Sequence, residues 1–155
     1  MSFARLMERL KDGFTTPEVS QESDHDPFRL ATAAVLLDIA YADGSFSPAE
    51  DGNATTYLQR TFDLSADDAR ELIEAADEIR ANTIDHFAMT NFIRKNSTLD
   101  QRIDMVKTMW RMAYADGNLT EYEGYLVRKL ADLLGLEHHV MIDAKVSILR
   151  ELEAR

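Results

Sequence analysis

The stretch AYADGSFSPAE, residues 40–50, is repeated as AYADGNLTEYE at residues 113–123, which begin 73 positions further along the chain. Each copy follows an apolar run, reaches an Asp-Gly pair, and then places Ser or Thr three residues before a glutamate. Glycine adopts the left-handed conformation that closes helices, and Ser/Thr-x-x-Glu is the capping box that begins them. Each copy therefore predicts the end of one helix, a tight turn, and the start of another.

The chain around both copies has helical periodicity. The segment FRLATAAVLLDIAYA, residues 28–42, is apolar on most of its faces, which predicts a buried central helix. Further helices are predicted after caps at Ser65 and Thr98, in TIDHFAMTNFIRKN at 83–96, and after Gly135. No stretch alternates with period two for long enough to predict a strand.

The predicted fold class is all-α. We expect a compact bundle of about seven or eight helices, built from a duplicated helical hairpin whose copies are related by a pseudo-twofold axis. Several large side chains are expected in its core: Phe87, Phe92, Ile93, Met105, Met109 and Trp110.

The N-terminal part of the chain has a different character. Residues 1–14 place Phe3, Leu6, Met7 and Leu10 three and four positions apart, which predicts an amphipathic helix. Residues 15–27 are rich in Pro, Ser and acids and are interpreted as a linker, which leaves 28–155 as the helical domain. The first helix has three alternative roles: docking on the domain, pairing with a second copy, or peripheral contact with a membrane.

The composition excludes several kinds of partner and site. The net charge is −11, with 28 acidic against 17 basic residues, so the field repels phosphate backbones and predicts no nucleic-acid partner. The chain has no cysteine, which excludes disulfides and thiolate ligands. No apolar run reaches the ~18 residues of a membrane span, and the N-terminus lacks a secretory signal pattern. A cytoplasmic protein is therefore expected, with an acidic surface suited to cations or to a basic protein partner.

Three segments carry a family resemblance: LLDIAYADGSFSPAE, FDLSADDARELIEAADE and MVKTMWRMAYADGNLTEYEGYLVRKLADLLGL. They resemble the TerB-like, tellurite-resistance-associated proteins of bacteria, and the likeness runs from about Phe28 to Val146. The resemblance implies a compact all-helical TerB-like domain and a context of tellurite and chemical-stress resistance. It also points to acidic residues at the Asp-Gly turns as metal ligands, and it implies no defined reaction.

The turns present side-chain oxygens at regular positions, and such donors suit hard divalent cations. If the two turns meet across the pseudo-twofold axis, four carboxylates form one metal site: Asp43, Glu50, Asp116 and Glu123. Supporting residues are expected beside them: Tyr41, Ser45, Ser47, Tyr114, Asn118 and Thr120. The predicted cofactor is a divalent cation, Ca²⁺, Mg²⁺, Mn²⁺ or Zn²⁺, with no organic cofactor. The pattern is not an EF-hand, because glycine comes second rather than sixth.

The same residues also have a purely structural interpretation. Glu50 and Glu123 can close capping boxes, while Asp43 and Asp116 can accept hydrogen bonds from free N–H groups of the turn. Both aspartates, however, follow a helix C-terminus, where the dipole disfavours a negative charge by about 0.3–1 kcal/mol. A compensating positive group is therefore expected near each of them.

Three functions are compatible with these observations. The leading one is a non-enzymatic TerB-like module that binds a divalent ion, and the alternative is a metal-free scaffold for an unknown protein partner. A third is a dimetal carboxylate enzyme, but such bundles use Glu-x-x-His pairs, which the predicted helices of the domain do not supply. No catalytic residue is predicted, and His25, His86, His138 and His139 show no ligand spacing.

Overall fold

The protein is described by a computed structural model at residues 26–42, 48–81, 86–115 and 119–154. Within these residues the structure contains helices and no strand, which confirms the predicted all-α class. The predicted helix of residues 1–14 lies outside the described residues, and so does the predicted linker of residues 15–27 except for its last two positions. The described residues form seven helices: α1 (Pro27–Ala40), α2 (Pro48–Phe62), α3 (Ala66–Ala81), α4 (His86–Lys95), α5 (Leu99–Ala113), α6 (Glu121–Leu133) and α7 (His138–Glu153).

Helix α1 lies at the centre of the bundle, as its sequence predicts. It begins with Pro27 in the first turn, and the side chain of Asp26 accepts a hydrogen bond from the Phe28 N–H at 2.7 Å. Ten of its fourteen residues are buried, and it packs against α2, α3, α4, α5 and α6. Burial on nearly every face removes apolar surface from water, and this is the main stabilising term of the fold.

Polar caps set the helix ends where the sequence predicts them. At the start of α5, Thr98 Oγ1 accepts from the Gln101 N–H at 3.1 Å, and Gln101 Oε1 accepts from the Thr98 N–H at 2.8 Å. Ser65 Oγ accepts from the Asp68 N–H at 3.0 Å before α3. The capping prediction is confirmed at both helices, and each cap satisfies a backbone donor that the first turn leaves unpaired.

The ends of α1 and α5 are separated by the same 73 residues as the two copies of the repeated stretch. Helices α1 and α5 end at Ala40 and Ala113, and both are closed by a tyrosine with nearly the same backbone angles. Tyr41 has φ −95° and ψ 2°, and Tyr114 has φ −96° and ψ 3°. Contacts of α1 with α2 and α3 are matched by contacts of α5 with α6 and α7. The repeat therefore holds at the level of elements, while the pseudo-twofold relation of the two hairpins stays a prediction.

The core contains most of the side chains that helical spacing selects, while Phe92 is only partly buried against it and Phe87 is an exception. Met105, Met109 and Trp110 are fully buried, and so is Ile93. Phe87 was expected in the core, but 65% of it is exposed, so this prediction is wrong. Successive helical residues are 100° apart, which places Phe87 on the face of α4 opposite to Met89 and Ile93. The described helices include none that is both long enough and apolar enough to cross a membrane.

Two glycines give opposite predictions for the same substitution. Gly135 follows α6 with φ +83°, and a Cβ atom there would lie 2.8 Å from Arg94 Nε and 3.1 Å from Arg102 Nη1. Arg102 Nη1 also donates to the Leu134 carbonyl at 2.8 Å. Gly135→Ala should therefore lower the free energy of unfolding by about 1–2 kcal/mol, because a left-handed alanine is strained.

The matched control is Gly52→Ala in the interior of α2, where a Cβ atom would meet nothing within 4 Å. Alanine has the higher helix propensity, so this variant should gain about 0.5–1 kcal/mol. Urea unfolding followed by circular dichroism measures both changes. Equal effects of the two substitutions would contradict the described end of α6.

Candidate functional site

The described part of the second turn is a complete capping box at the start of α6. Thr120 Oγ1 accepts from the Glu123 N–H at 3.0 Å, and Glu123 Oε1 accepts from the Thr120 N–H at 3.2 Å. The Thr120 hydroxyl also lies 3.1 Å from Glu123 Oε1. The structural interpretation of Glu123 as a capping residue is thus correct for one of its two carboxylate oxygens.

The other oxygen of Glu123 is not explained by the cap. Only 1% of Glu123 is exposed, and it is the one acidic or basic residue in the described part of the chain that is buried to this degree. Its Oε2 atom is buried and has no hydrogen-bond partner among the described residues. A buried polar atom without a partner costs about 1–3 kcal/mol, and more when it is charged. A cation or a proton donor at Oε2 would remove this cost.

The first turn is preceded by a cluster of charged and aromatic side chains between α1 and α3. The Tyr41 hydroxyl lies 3.4 Å from Asp77 Oδ2, and the Arg80 guanidinium lies 4.0 Å from the centroid of the Tyr41 ring. Arg80 also lies 3.5 Å from Asp77 Oδ1 and 4.0 Å from Asp38 Oδ1. A positive group therefore lies beside the last turn of α1, where it pairs with the carboxylates of Asp38 and Asp77.

Tyr114, the counterpart of Tyr41, is half-buried at the end of α5. Its ring lies 6.1 Å from the ring of Trp110, and its N–H donates to the Trp110 carbonyl at 3.0 Å. Lys145 Nζ lies 5.2 Å from the centroid of the Trp110 ring, and Arg111 in the last turn of α5 is bound to Glu151. Beyond the turn, Arg128 Nη1 lies 3.2 Å from the position that a Cβ atom of Gly124 would take, so positive groups lie near the helix ends at both turns.

Most of the predicted ligands lie outside the described residues. These are Asp43, Ser45, Ser47, Asp116 and Asn118, and for Glu50 only the backbone position in the first turn of α2 is described. No group of three or more His, Asp or Glu side chains suited to a metal lies within the described ranges, which omit both turn aspartates. The structure brings Glu123 and Thr120 together and places Tyr41 and Tyr114 at the ends of the helices that lead into the turns.

A polar groove that the sequence did not suggest lies on α5, between α2 and α7. We call it the α5 groove, and its volume is about 250 Å³. Helices α2 and α7 both pack on α5 and have little contact with each other in the described structure, which leaves the groove between them. Its lining consists of Asn53, Thr56, Tyr57, Arg60, Thr108, Arg111 and Glu151.

Ion pairs hold two arginines at the α5 groove. Arg111 donates through Nε and Nη2 to Glu151 at 2.6 and 3.0 Å, and this bidentate bond raises the pKa of Arg111. Arg60 Nη2 lies 3.0 and 3.3 Å from the carboxylate oxygens of Asp104, and both side chains are about half exposed. Burial, reinforced by the nearby Asp104 carboxylate, raises the pKa of Tyr57 to about 12, so its phenol keeps its proton at neutral pH.

Sequence patterns do not reveal this groove, because its walls come from distant parts of the chain. On α2 the four lining residues stand at i, i+3, i+4 and i+7, which is also the pattern of an ordinary solvent-facing stripe. The partner residues on α5 and α7 follow about 50 and 90 positions later and match no motif. Only the packing of α2 and α7 on α5 brings them together.

Comparison with known proteins gives one finding. The family model described as Tellurite resistance protein TerB matches residues 29–146, a region that includes both Asp-Gly turns and most of the helical domain. No curated protein and no solved structure gives a significant match. The match covers well over half of the chain and agrees with the all-helical bundle, so the chain belongs to the TerB family.

Proposed function

We propose that this TerB-family chain is a non-enzymatic module that binds one divalent metal ion at its paired Asp-Gly turns. The proposed ligands are the carboxylates of Asp43, Glu50, Asp116 and Glu123. Four carboxylates at one point repel one another strongly unless a cation neutralises them. The proposal therefore predicts that the ion stabilises the fold as well as occupying the site.

The observation that carries this proposal is the unpaired Oε2 atom of Glu123. The capping box occupies Oε1, so the second oxygen is available without loss of the cap. Glu123 stands seven residues after Asp116, and both belong to the turn that the repeat marks. A buried carboxylate oxygen next to a turn that carries an aspartate is a suitable ligand for a cation.

The chemistry of the ligands restricts the ion. All proposed donors are oxygens, which favours Ca²⁺, Mg²⁺ or Mn²⁺, whereas Zn²⁺ in proteins is more often bound by histidine and cysteine. The repeated turn contains neither residue. The context of tellurite and chemical-stress resistance is supported by the description of the family alone and belongs to the same proposal.

A metal-free interaction module is the second candidate, and one observation favours it. Tyr122 and Tyr125 are 55% and 52% exposed on the first turns of α6, and their rings stack with centroids 6.5 Å apart. Exposed tyrosines are enriched at protein interfaces, since they add apolar area together with a polar hydroxyl. They lie directly after the second turn, so a partner could contact the turn and the tyrosines together.

Calorimetric titration of chelator-stripped protein tests the metal proposal directly. We expect one ion per chain with a dissociation constant of about 1 µM, a typical value for carboxylate-rich sites, and loss of binding in Asp43→Asn/Asp116→Asn. The matched control is Asp67→Asn/Asp68→Asn, which removes the same charge from the exposed first turn of α3. Binding that survives in the turn variant, or that is equally weak in the control, would overturn the proposal.

Glu123→Gln separates metal binding from helix capping. Glutamine keeps an oxygen for the Thr120 N–H but removes the buried charge, so in chelator this variant should be at least as stable as the parent. At 100-fold excess of ion over the dissociation constant the parent should gain about 2.7 kcal/mol, and Glu123→Gln should gain much less.

The control for this experiment is Glu121→Gln, which changes an exposed first-turn carboxylate of the same helix. Thermal unfolding with and without the ion measures all three proteins. Equal stabilisation of Glu123→Gln and the parent by the ion would remove Glu123 from the site and leave it only its capping role.

A further inference from the structure

If the predicted pseudo-twofold axis relates the two hairpins, the α5 groove corresponds to a place that is filled in the other half of the bundle. Helix α4 packs on α1 and against α6. The 73-residue repeat matches α1 with α5, and it matches α2 with α6. Under this exchange, the counterpart of α4 would pack on α5 and against α2. This is where the α5 groove lies, and no described helix occupies it. The residues that the same shift matches to α4, 13–22, lie outside the described part of the chain.

The two central helices, α1 and α5, carry different kinds of side chain at matching positions of the repeat. On α1, Ala31 and Val35 are fully buried. The corresponding positions on α5 are Asp104 and Thr108, which are polar. Thr108 is already buried, and its hydroxyl donates to the Asp104 carbonyl at 3.1 Å, whereas the side chains of Asp104 and its partner Arg60 are about half exposed. An apolar helix in the α5 groove would have to bury this charged pair at a cost of several kcal/mol unless it bonded to it. The α5 groove is therefore suited to a polar occupant and not to a second copy of α4.

The free hydrogen-bonding groups of the α5 groove are mainly donors. Arg60 bonds to Asp104 through Nη2 alone, so its Nε and Nη1 groups have no partner among the described residues. Asn53 and Thr56 on the same wall of α2 also make no hydrogen bond within the described ranges. An exposed pair such as Arg60–Asp104 is worth about 0–1 kcal/mol, so a ligand anion can compete for this guanidinium.

The opposite wall supplies a fixed guanidinium, whose charge is paired with the carboxylate of Glu151. The bidentate bond to Glu151 orients the Arg111 guanidinium, and Thr108 Oγ1 lies 3.4 Å from Arg111 Nη1. A guanidinium has five N–H donors, and Arg111 uses one on Nε and one on Nη2 for Glu151 and one on Nη1 for Thr108, which leaves two for a ligand. Arginines held in this way recognise planar or tetrahedral oxyanions well, because their donors are preorganised.

We propose that the α5 groove binds a small oxyanion, the carboxylate or phosphate group of a metabolite, between Arg60 and Arg111. The volume of about 250 Å³ is below the usual range of drug-sized ligand sites and fits a small molecule. Asn53, Thr56 and the Tyr57 phenol complete a polar lining that can contact the rest of the ligand. Because the net charge of −11 repels anions, binding is weak at low salt and depends on these local donors.

Amide chemical shifts of the full, metal-free chain test this proposal at constant ionic strength. The probes are inorganic phosphate and citrate, titrated separately. Binding predicts saturable shifts at residues 53–60 and 108–111, and Arg60→Gln should weaken it by about tenfold or more, because a charge-assisted hydrogen bond is lost. Saturation by phosphate indicates a phosphorylated ligand, and saturation by citrate indicates a carboxylate, so either result supports the site.

The matched control is Arg70→Gln on α3, another exposed arginine that is paired with one aspartate, Asp67, at 2.9 Å. It removes the same charge and should change the affinity by less than about twofold, since long-range effects are screened. Equal weakening by both variants would show general electrostatic attraction and overturn the proposal. No saturable shift at the α5 groove with either anion would overturn it as well. Because no metal is present, neither result depends on the ion site at the turns.

Discussion

Two largely buried apolar helices, α1 and α5, hold the bundle together, and both must end abruptly so that the next helix can pack back against them. Ten of the fourteen residues of α1 are buried, and α5 buries Met105, Met109 and Trp110. A helix that ended gradually would leave backbone carbonyls and amides unpaired inside the core. A tyrosine closes each of these helices, and the Thr120–Glu123 capping box begins α6 after the second turn. These parts of the repeated stretch serve the architecture whether or not the stretch also binds an ion.

The architecture does not account for every charge that it places near the turns. At the first turn, Arg80 contacts Tyr41, Asp38 and Asp77, so the protein itself supplies a positive group. At the second turn, Arg128 Nη1 lies 3.2 Å from the position that a Cβ atom of Gly124 would take, yet Glu123 Oε2 is buried without a hydrogen-bond partner among the described residues. Burial of a charge is favourable only when something neutralises it. This unpaired oxygen makes the second turn the stronger part of the proposed metal site.

Local interactions explain which features could be predicted from the sequence. The capping boxes of α5 and α6 were predictable because both partners lie within four residues, as Thr98 and Gln101 illustrate. Phe87 was misplaced because periodicity gives the spacing of apolar positions on α4 but not which face meets the core. The link between Tyr41 and Arg80, and the whole α5 groove, depend on helices that meet only in the folded chain. The α5 groove also lacks any motif, since its residues serve equally well on a solvent-facing stripe.

The central claim, one ion shared by both Asp-Gly turns, is tested most directly with Mn²⁺, whose unpaired electrons broaden the NMR signals of nearby amides. One equivalent of Mn²⁺ should broaden Ala42, Ala115 and Thr120 together, since these described residues flank the two turns. The acidic first turn of α3, at Asp67 and Asp68, should remain sharp. Broadening at only one turn would contradict a shared site, and broadening spread over the acidic surface would contradict any specific site at the turns.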